Sequence, residues 1–394
     1  MKHRNRIVWL LTVFLSIAYL YIGHGIAAND LTIMNEEESL SAKARVISIQ
    51  DQIEEENYFD ETGADQTTTT IFLCQLLNGD GKGEEVLASQ SGDVYSAGRE
   101  KVVEPGDEII VFHYPSDQYG TEWVFGSFVR FDTLLIFGAA FFVLLLIFGR
   151  GKGLSTIISL SFTCMAIFFV YIPSILNGYN IYLSTLVTCA FITVMTIIIT
   201  NGWSTKTTAT ILGCLFGVFV AAMLSLILDG VLRLTGITDD HSVYLTYLST
   251  KGPINLNAII FGSIVVGSLG AVMDVAMDIS SALYEIREHM EKVSFHKLVK
   301  SGITIGRDIM GTMSNTLVLA YIGSSLSTVL LLTTYVTSMT ELLNREMIIV
   351  ELMQALIGST AILLTIPLTA IVCGLIYSGT YKRKPLIKEA SKDV

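Results

Sequence analysis

The chain has 394 residues, of which 51% are hydrophobic and only 15% are charged, and its mean hydropathy is +0.58. These proportions exclude an ordinary soluble enzyme and indicate an integral membrane protein, which places the chain in contact with a lipid bilayer. The net charge of −11 argues against nucleic acid as a partner.

Apolar runs of about 20 residues are the unit to count, because the hydrocarbon core of a bilayer is roughly 30 Å thick. Eight such runs are present, and the second is short. We therefore predict an α-helical polytopic membrane protein with about eight transmembrane helices. The predicted spans are 7–26, 134–148, 154–175, 181–199, 208–228, 258–282, 309–336 and 356–377.

The N-terminal segment 1–28 is a basic start, MKHRNR, followed by an apolar run. It is either an uncleaved signal anchor or a cleaved signal peptide. Either role sends the following acidic domain, residues 29–130, across the membrane. Lys and Arg are concentrated in the segments that this arrangement places inside. The sequence thus predicts cytoplasmic N and C termini, a seven-helix membrane domain at 131–378 and a basic cytoplasmic tail at 379–394.

The acidic domain changes to an alternating pattern rich in β-branched and aromatic residues. Five strand-like stretches, KARVISIQ, TTTTIFLCQLL, EVLAS, EIIVFHY and EWVFGSFVR, are separated by turn-forming residues. Their number and spacing predict a small extracytoplasmic all-β domain, a barrel or a sandwich, inserted after the first helix.

The sixth apolar run carries two carboxylates, Asp274 and Asp278. A carboxylate in hydrocarbon costs at least ~2.5 kcal/mol near the centre of a helix, so it needs a functional or structural reason. Positions three and four apart share a helix face, and the face of Asp274 carries small residues that let another backbone come close. We predict that this stripe faces the protein interior. Its small members are Gly267, Gly270 and Ala271.

The seventh run offers a matching face formed by Asp308, Gly311 and Asn315. Because consecutive spans run antiparallel, we predict that Asp274 meets Asn315 and that Asp278 meets Asp308. This pairing would create an ion- or substrate-binding site, with an interhelical hydrogen bond as the structural alternative. Nearby methionines suggest a soft metal site, although Met usually fills gaps in apolar cores. They are Met273, Met277, Met310 and Met313.

Glu351 and Gln354 open the last predicted span and suggest an outer gate, with an interfacial helix as the alternative. Catalytic patterns such as H-E-x-x-H, G-x-S-x-G and a phosphate loop do not occur. We therefore predict neither an enzyme nor a bound cofactor.

Several long motifs resemble the YibE/F family of bacterial multipass proteins. They are GRGKGLSTIISL, LGAVMDVAMDISSALYEI, SGITIGRDIMGTMSNTLVLAYIGSSL and GSTAILLTIPLTA, and the likeness spans residues 130–379 with a further turn at VVEPGDE. The resemblance implies a bacterial plasma-membrane protein. It also implies assembly as a homo-oligomer or with a related family member. It carries over no catalytic or binding residues.

Two functions fit these observations. The first is a secondary transporter or exporter of a small ion or solute, since no ATPase motif is present. The second is a non-transporting assembly partner, receptor or sensor that acts through the outer domain. The sequence does not choose between them, and it does not identify the substrate.

Overall fold

The structure is a computed structural model that describes residues 2–28, 41–58, 64–79, 81–91, 101–114, 120–238, 240–246, 252–290, 292–335 and 338–380. Most of the predicted basic tail, from residue 381 onward, lies outside these ranges, as do residues 29–40 of the predicted outer domain. The chain forms two compact units. One comprises Met1–Leu31 with Leu145–Val394, and the other comprises Thr32–Leu144.

The smaller unit contains a closed five-stranded barrel with the strand order β1–β2–β3–β5–β4, which confirms the predicted small β domain. All neighbouring pairs are antiparallel except β3 and β5. Alternate residues of the strands point inward, so Ala44, Phe72, Ile109 and Val111 are fully buried. The strands are β1 Ser41–Tyr58, β2 Ala64–Leu76, β3 Glu85–Ser91, β4 Glu108–His113 and β5 Trp123–Phe128.

The larger unit consists mainly of long helices, as a membrane protein requires. Several begin at a side-chain cap, in which an Asn or Ser oxygen accepts a backbone N–H; the caps include Asn180, Ser204, Asn255 and Ser294. The helices are α1 Lys2–Ala27, α2 Phe131–Met165, α3 Ile172–Leu176, α4 Ile181–Asn201, α5 Thr205–Leu232, α6 Asp240–Leu245, α7 Leu256–His289, α8 Phe295–Ser324, α9 Leu326–Tyr335, α10 Met339–Asn344 and α11 Glu346–Tyr377. A π-helical stretch, Ala166–Tyr171, joins α2 to α3.

Among the described residues, six helical segments are long and apolar enough to cross a membrane. One of them, Phe131–Leu176, has 46 residues and contains both the second and the third predicted spans. It is broken at Arg150, whose φ of 48° is non-helical. Gly153 follows the break, and a Cβ at this position would overlap the backbone carbonyl of Leu145. The break therefore lies where the sequence separates two spans.

The predicted seventh span, 309–336, is wrong as a single helix. Helix α8 begins earlier, at Phe295, ends at Ser324, and is followed by the separate helix α9. Helix α8 is not among the six apolar segments, and it carries the polar residues Arg307, Asp308 and Asn315.

The centre of the larger unit is formed by α5, α7 and α11, which pack on one another. Two glycines of α5 permit this close approach: a Cβ at Gly213 would overlap Thr369, and one at Gly217 would overlap both Thr365 and Val272. Helix α8 packs on the outside of α11, again through glycines. A Cβ at Gly306 would overlap Ile366.

Candidate intramembrane polar site

Helix α7 has two opposite flanks of different chemistry. Ile264, Val272, Val275 and Ile279 have no exposed surface, because they pack into the cores formed with α5 and α11. The acidic flank, defined here as Gly267, Gly270, Asp274, Asp278 and Glu285, is exposed. The prediction that this flank faces the protein interior is therefore wrong for Gly270, Asp274 and Asp278 within one chain.

The physical reason is packing and not hydrophobic transfer, because lipid tails are as apolar as Ile and Val. The four β-branched residues fill the space between α7, α5 and α11 and gain van der Waals contacts there. Carboxylates on the buried side would also need partners, since burying an unpaired charge is very costly. The close approach of backbones is provided instead by Gly213 and Gly217 of α5.

Helix α8 shows the same division. Gly302 and Gly306 are buried, and a Cβ at Gly302 would lie 2.7 Å from the Cβ of Ala370 on α11. Asp308, Gly311 and Asn315 are all exposed. Nothing lies within 4 Å of the Cβ position of Gly270 or Gly311, so neither glycine has the predicted role at a helix interface.

The predicted pairs of polar residues are not joined. Within the described ranges, the side chains of Asp274, Asp278, Asp308 and Asn315 take part in no hydrogen bond or ion pair, with one another or with Arg307. Asp274 and Asp278 do repel each other electrostatically, as two carboxylates one helical turn apart. The middle of α7 thus presents two unneutralised carboxylates on an open surface.

The residues predicted to surround the site differ in burial: some pack against the cores and others are exposed. Ala271 and Met313 pack against the core that contains Val275 and Ile279, and Met273 packs against the other large core. Met277 is partly buried, whereas Met310 is exposed. No group of three or more His, Cys, Asp or Glu side chains in the described residues is arranged to hold a metal ion. The contacts of Met273 and Met313 are those of gap-filling core residues.

A second polar group lies near the N-terminal ends of α7 and α11. Gln354 donates a hydrogen bond from Nε2 to Ser263 Oγ over 2.9 Å. One turn further along α7, a Cβ at Gly267 would lie 2.7 Å from the hydroxyl oxygen of Tyr321 on α8. Tyr321 in turn lies within electrostatic range of Glu351. We call Ser263, Tyr321, Glu351 and Gln354 the Glu351 cluster.

Two oxygen atoms of this cluster are buried without a partner. Neither the Tyr321 hydroxyl nor Glu351 Oε2 makes a hydrogen bond to any described residue. The sequence identified Glu351 and Gln354 but missed Ser263 and Tyr321. Ser263 continues the acidic flank one turn before Gly267, so the same periodic argument finds it; Tyr321 carries no comparable sequence signal.

A family model described as YibE/F-like protein matches residues 137–379. The chain belongs to the YibE/F-like family. Comparisons with curated proteins and with solved structures gave no significant match. The matched region of this YibE/F-like chain begins in α2. It includes the acidic flank of α7, the exposed residues Asp308, Gly311 and Asn315 of α8, and the Glu351 cluster.

These features give the YibE/F-like chain two places with different chemistry. The acidic flank offers carboxylates that can bind cations or exchange protons, and its surface is open. The Glu351 cluster offers one carboxylate with neutral oxygens, and two of its oxygen atoms, the Tyr321 hydroxyl and Glu351 Oε2, are buried. Both places lie on helices that pack against α11.

Proposed function

We propose that this protein is a secondary transporter or exporter of a small ion or solute in the bacterial plasma membrane. One observation carries the proposal. Asp274 and Asp278 are exposed and unpaired among the described residues, on a helix that is long and apolar enough to cross a membrane. Asp274 is the titratable or cation-binding group, and Asp278, Asp308 and Asn315 add polar surface near it.

The reasoning starts from the cost of a carboxylate in lipid. An ionised Asp that faces acyl chains is strongly unfavourable, so such residues face a water-filled cavity or another protein surface. The acidic flank of one chain is open, and we infer that a second chain covers it, either another copy or a related family member. A hydrated passage between the two chains would then be lined by the acidic flank.

The membrane arrangement that we propose has eight crossings with both termini in the cytoplasm. The break at Arg150 supports counting Phe131–Leu176 as two crossings, since its 46 residues are about twice what one crossing needs. Helices α8 and α9 together form the seventh crossing. Single cysteines at 151 and 235 in a cysteine-free chain test this: an impermeant maleimide added to intact cells should label only position 235. Labelling at 151 would overturn the arrangement.

Replacement of Asp274 by Asn tests the transport proposal directly. In proteoliposomes, ion and solute flux should fall to background, while the purified variant keeps its elution profile and amount. Glu285→Gln is the matched control, because Glu285 lies on the same flank but beside His289, 3.9 Å away, at the end of α7. Unchanged flux in Asp274→Asn would refute the assigned role.

A sensor or assembly partner is the second candidate, and the separate compact barrel favours it. Deletion of residues 29–126 distinguishes the two candidates. A transporter should retain part of its flux, because the pathway is built from α7 and α8. A protein that acts through the barrel should lose its cellular effect completely, with no flux detectable in either form.

A further inference from the structure

We propose that a pocket on the barrel binds the phosphate headgroup of an anionic phospholipid, at the membrane surface where α2 begins. The pocket has a volume of about 500 Å³ and lies along β5 and the end of β3. The proposal rests on the membrane crossing of α2 and is independent of transport through the acidic flank. We call it the Phe128 pocket, and the residues that define it are Ser91, Lys101, Phe125, Ser127, Phe128 and Arg130.

Two cations of the Phe128 pocket converge on one aromatic ring. Lys101 Nζ lies 5.3 Å from the centre of the Phe128 ring, and Arg130 Cζ lies 5.7 Å from the same point. The ring is held in turn by an edge-to-face contact with Phe125, whose ring centre is 5.1 Å away. Both cationic groups therefore border the same cavity.

The buried side chain of Gln90 fixes the backbone that carries Lys101. Its Nε2 donates to the carbonyl oxygen of Lys101 over 3.0 Å, and its Oε1 accepts the backbone N–H of Val103 over 2.9 Å. Val103 is itself fully buried in the barrel core. The exposed side chain of Lys101 thus extends from an anchored stretch of chain.

Arg130 lies where the barrel joins α2. Its carbonyl oxygen accepts an N–H from the first turn of the helix over 3.2 Å, and Lys43 of β1 forms an ion pair of 3.0 Å with Asp132 of that turn. From Phe131 to the break at Arg150 the helix has about 20 residues, which at 1.5 Å each span the roughly 30 Å of the hydrocarbon core. In this crossing Arg130 lies at the level of the lipid headgroups.

The charges of the pocket indicate an anionic ligand. Neither Lys101 nor Arg130 forms an ion pair with a carboxylate among the described residues. Two neighbouring cations repel each other, and an anion bound between them removes that repulsion. Arg and Lys are the side chains that bind phosphate, and the hydroxyl groups of Ser91 and Ser127 add hydrogen-bond donors to the same cavity.

A lipid headgroup suits the pocket better than a free anion does. The surrounding sequence, residues 29–130, has a large excess of Asp and Glu, and their negative charge repels soluble anions. A phospholipid is held in the bilayer beside Arg130, so its local concentration is high. Only a lipid with a net negative charge neutralises the cations, which selects anionic over zwitterionic headgroups.

Native mass spectrometry of the full-length protein in detergent tests the proposal. The protein is titrated with dioleoylphosphatidylglycerol and, separately, with dioleoylphosphatidylcholine, which has the same acyl chains. The Lys101→Gln/Arg130→Gln double variant should bind one phosphatidylglycerol fewer than the wild type and the same amount of phosphatidylcholine. Lys101→Gln alone should weaken binding of that phosphatidylglycerol by about three- to tenfold, because one of two cations is lost.

Two controls locate the effect. Lys82→Gln removes an exposed cation of the same barrel that does not line the pocket, and it should bind phosphatidylglycerol as the wild type does. Asp274→Asn should also bind it normally, so loss of transport in that variant and loss of lipid binding here are separate results. Cations elsewhere in the chain bind anionic lipid in all of these proteins, so their contribution cancels in the comparison.

Three results would overturn the proposal. The first is equal binding of phosphatidylglycerol by the wild type and the double variant. The second is a double variant that loses phosphatidylcholine as well, since the pocket would then not select an anionic headgroup. The third is calorimetric binding of soluble glycerol 1-phosphate that is as tight as that of the lipid and is lost in the double variant, which would assign the pocket to a free phosphate.

Discussion

The two polar regions along α7 differ in how they are covered. Near the N-terminal end of the helix, Ser263 and Gly267 meet side chains from α11 and α8. One to three turns further on, Gly270, Asp274 and Asp278 are open, and an added Cβ at Gly270 would contact nothing. The same flank of one helix therefore contacts neighbouring helices near its N-terminal end and lies open further on. Spacing along the sequence identifies the flank, but it does not determine which parts of it have neighbours.

Exchanging a carboxylate and a valine between the two flanks of α7 should give the largest change in protein stability. Val275→Asp places a carboxylate in a core where Val275 has no exposed surface. Burial of an unpaired charge should destabilise the protein by more than about 3 kcal/mol and prevent stable accumulation. Asp274→Val, its neighbour on the open flank, should accumulate normally. Fluorescence-detected size-exclusion chromatography measures both, and comparable losses in the two variants would show that Asp274 is buried in the assembled protein.

The glycines of α8 provide a comparison within one helix. Gly306→Ala should destabilise the protein by about 1–3 kcal/mol, because the new methyl group overlaps Ile366 across a tight helix contact. Gly311→Ala should be neutral or stabilising by up to about 1 kcal/mol, since its methyl group enters open space and Ala is the better helix former. Thermal unfolding in detergent reports the difference. An equally damaging Gly311→Ala would indicate that another chain packs closely on this face.

Sequence reasoning predicted the parts of the fold that depend on local pattern. The alternation of apolar residues located all five barrel strands, and the apolar runs located most of the long helices. Family motifs in residues 130–379 led to the family that the model match then confirmed. These features are repeated over many residues, so single exceptions do not obscure them.

The orientation of α7 could not be predicted in the same way. Both of its flanks are plausible interfaces: one is rich in Ile and Val, and the other in Gly and Ala. The choice depends on Gly217 of α5, which is distant in sequence and lies against both Val272 of α7 and Thr365 of α11. Tyr321 was missed for a similar reason, because its importance comes from neighbours on two other helices.

Two serine substitutions on α7 should differ by a smaller amount in the free energy of unfolding. Ser263→Ala removes the acceptor of the Gln354 amide and leaves that donor unpaired, which should cost about 1 kcal/mol. Ser281→Ala removes only a bond to the carbonyl of Met277 in its own helix, and its effect should be within about 0.5 kcal/mol. Chemical or thermal unfolding of the two variants measures this difference. Equal effects would mean that the bond between α7 and α11 adds no stability.

In the barrel, the buried Cys74 can be compared with an exposed position by the rate at which each reacts with maleimide. Its side chain is buried and burial raises the pKa of the thiol to about 11. Only the thiolate reacts with maleimide, so at pH 8 roughly one thiol in a thousand would be reactive even if it were accessible. In a chain whose other cysteines are replaced, labelling should be very slow at pH 8 and rapid after denaturation, when the pKa returns to about 8.5. A cysteine introduced at the exposed position 85, in a chain that lacks Cys74, should react quickly in both states. Fast labelling of Cys74 in the native protein would show that the barrel opens at that strand.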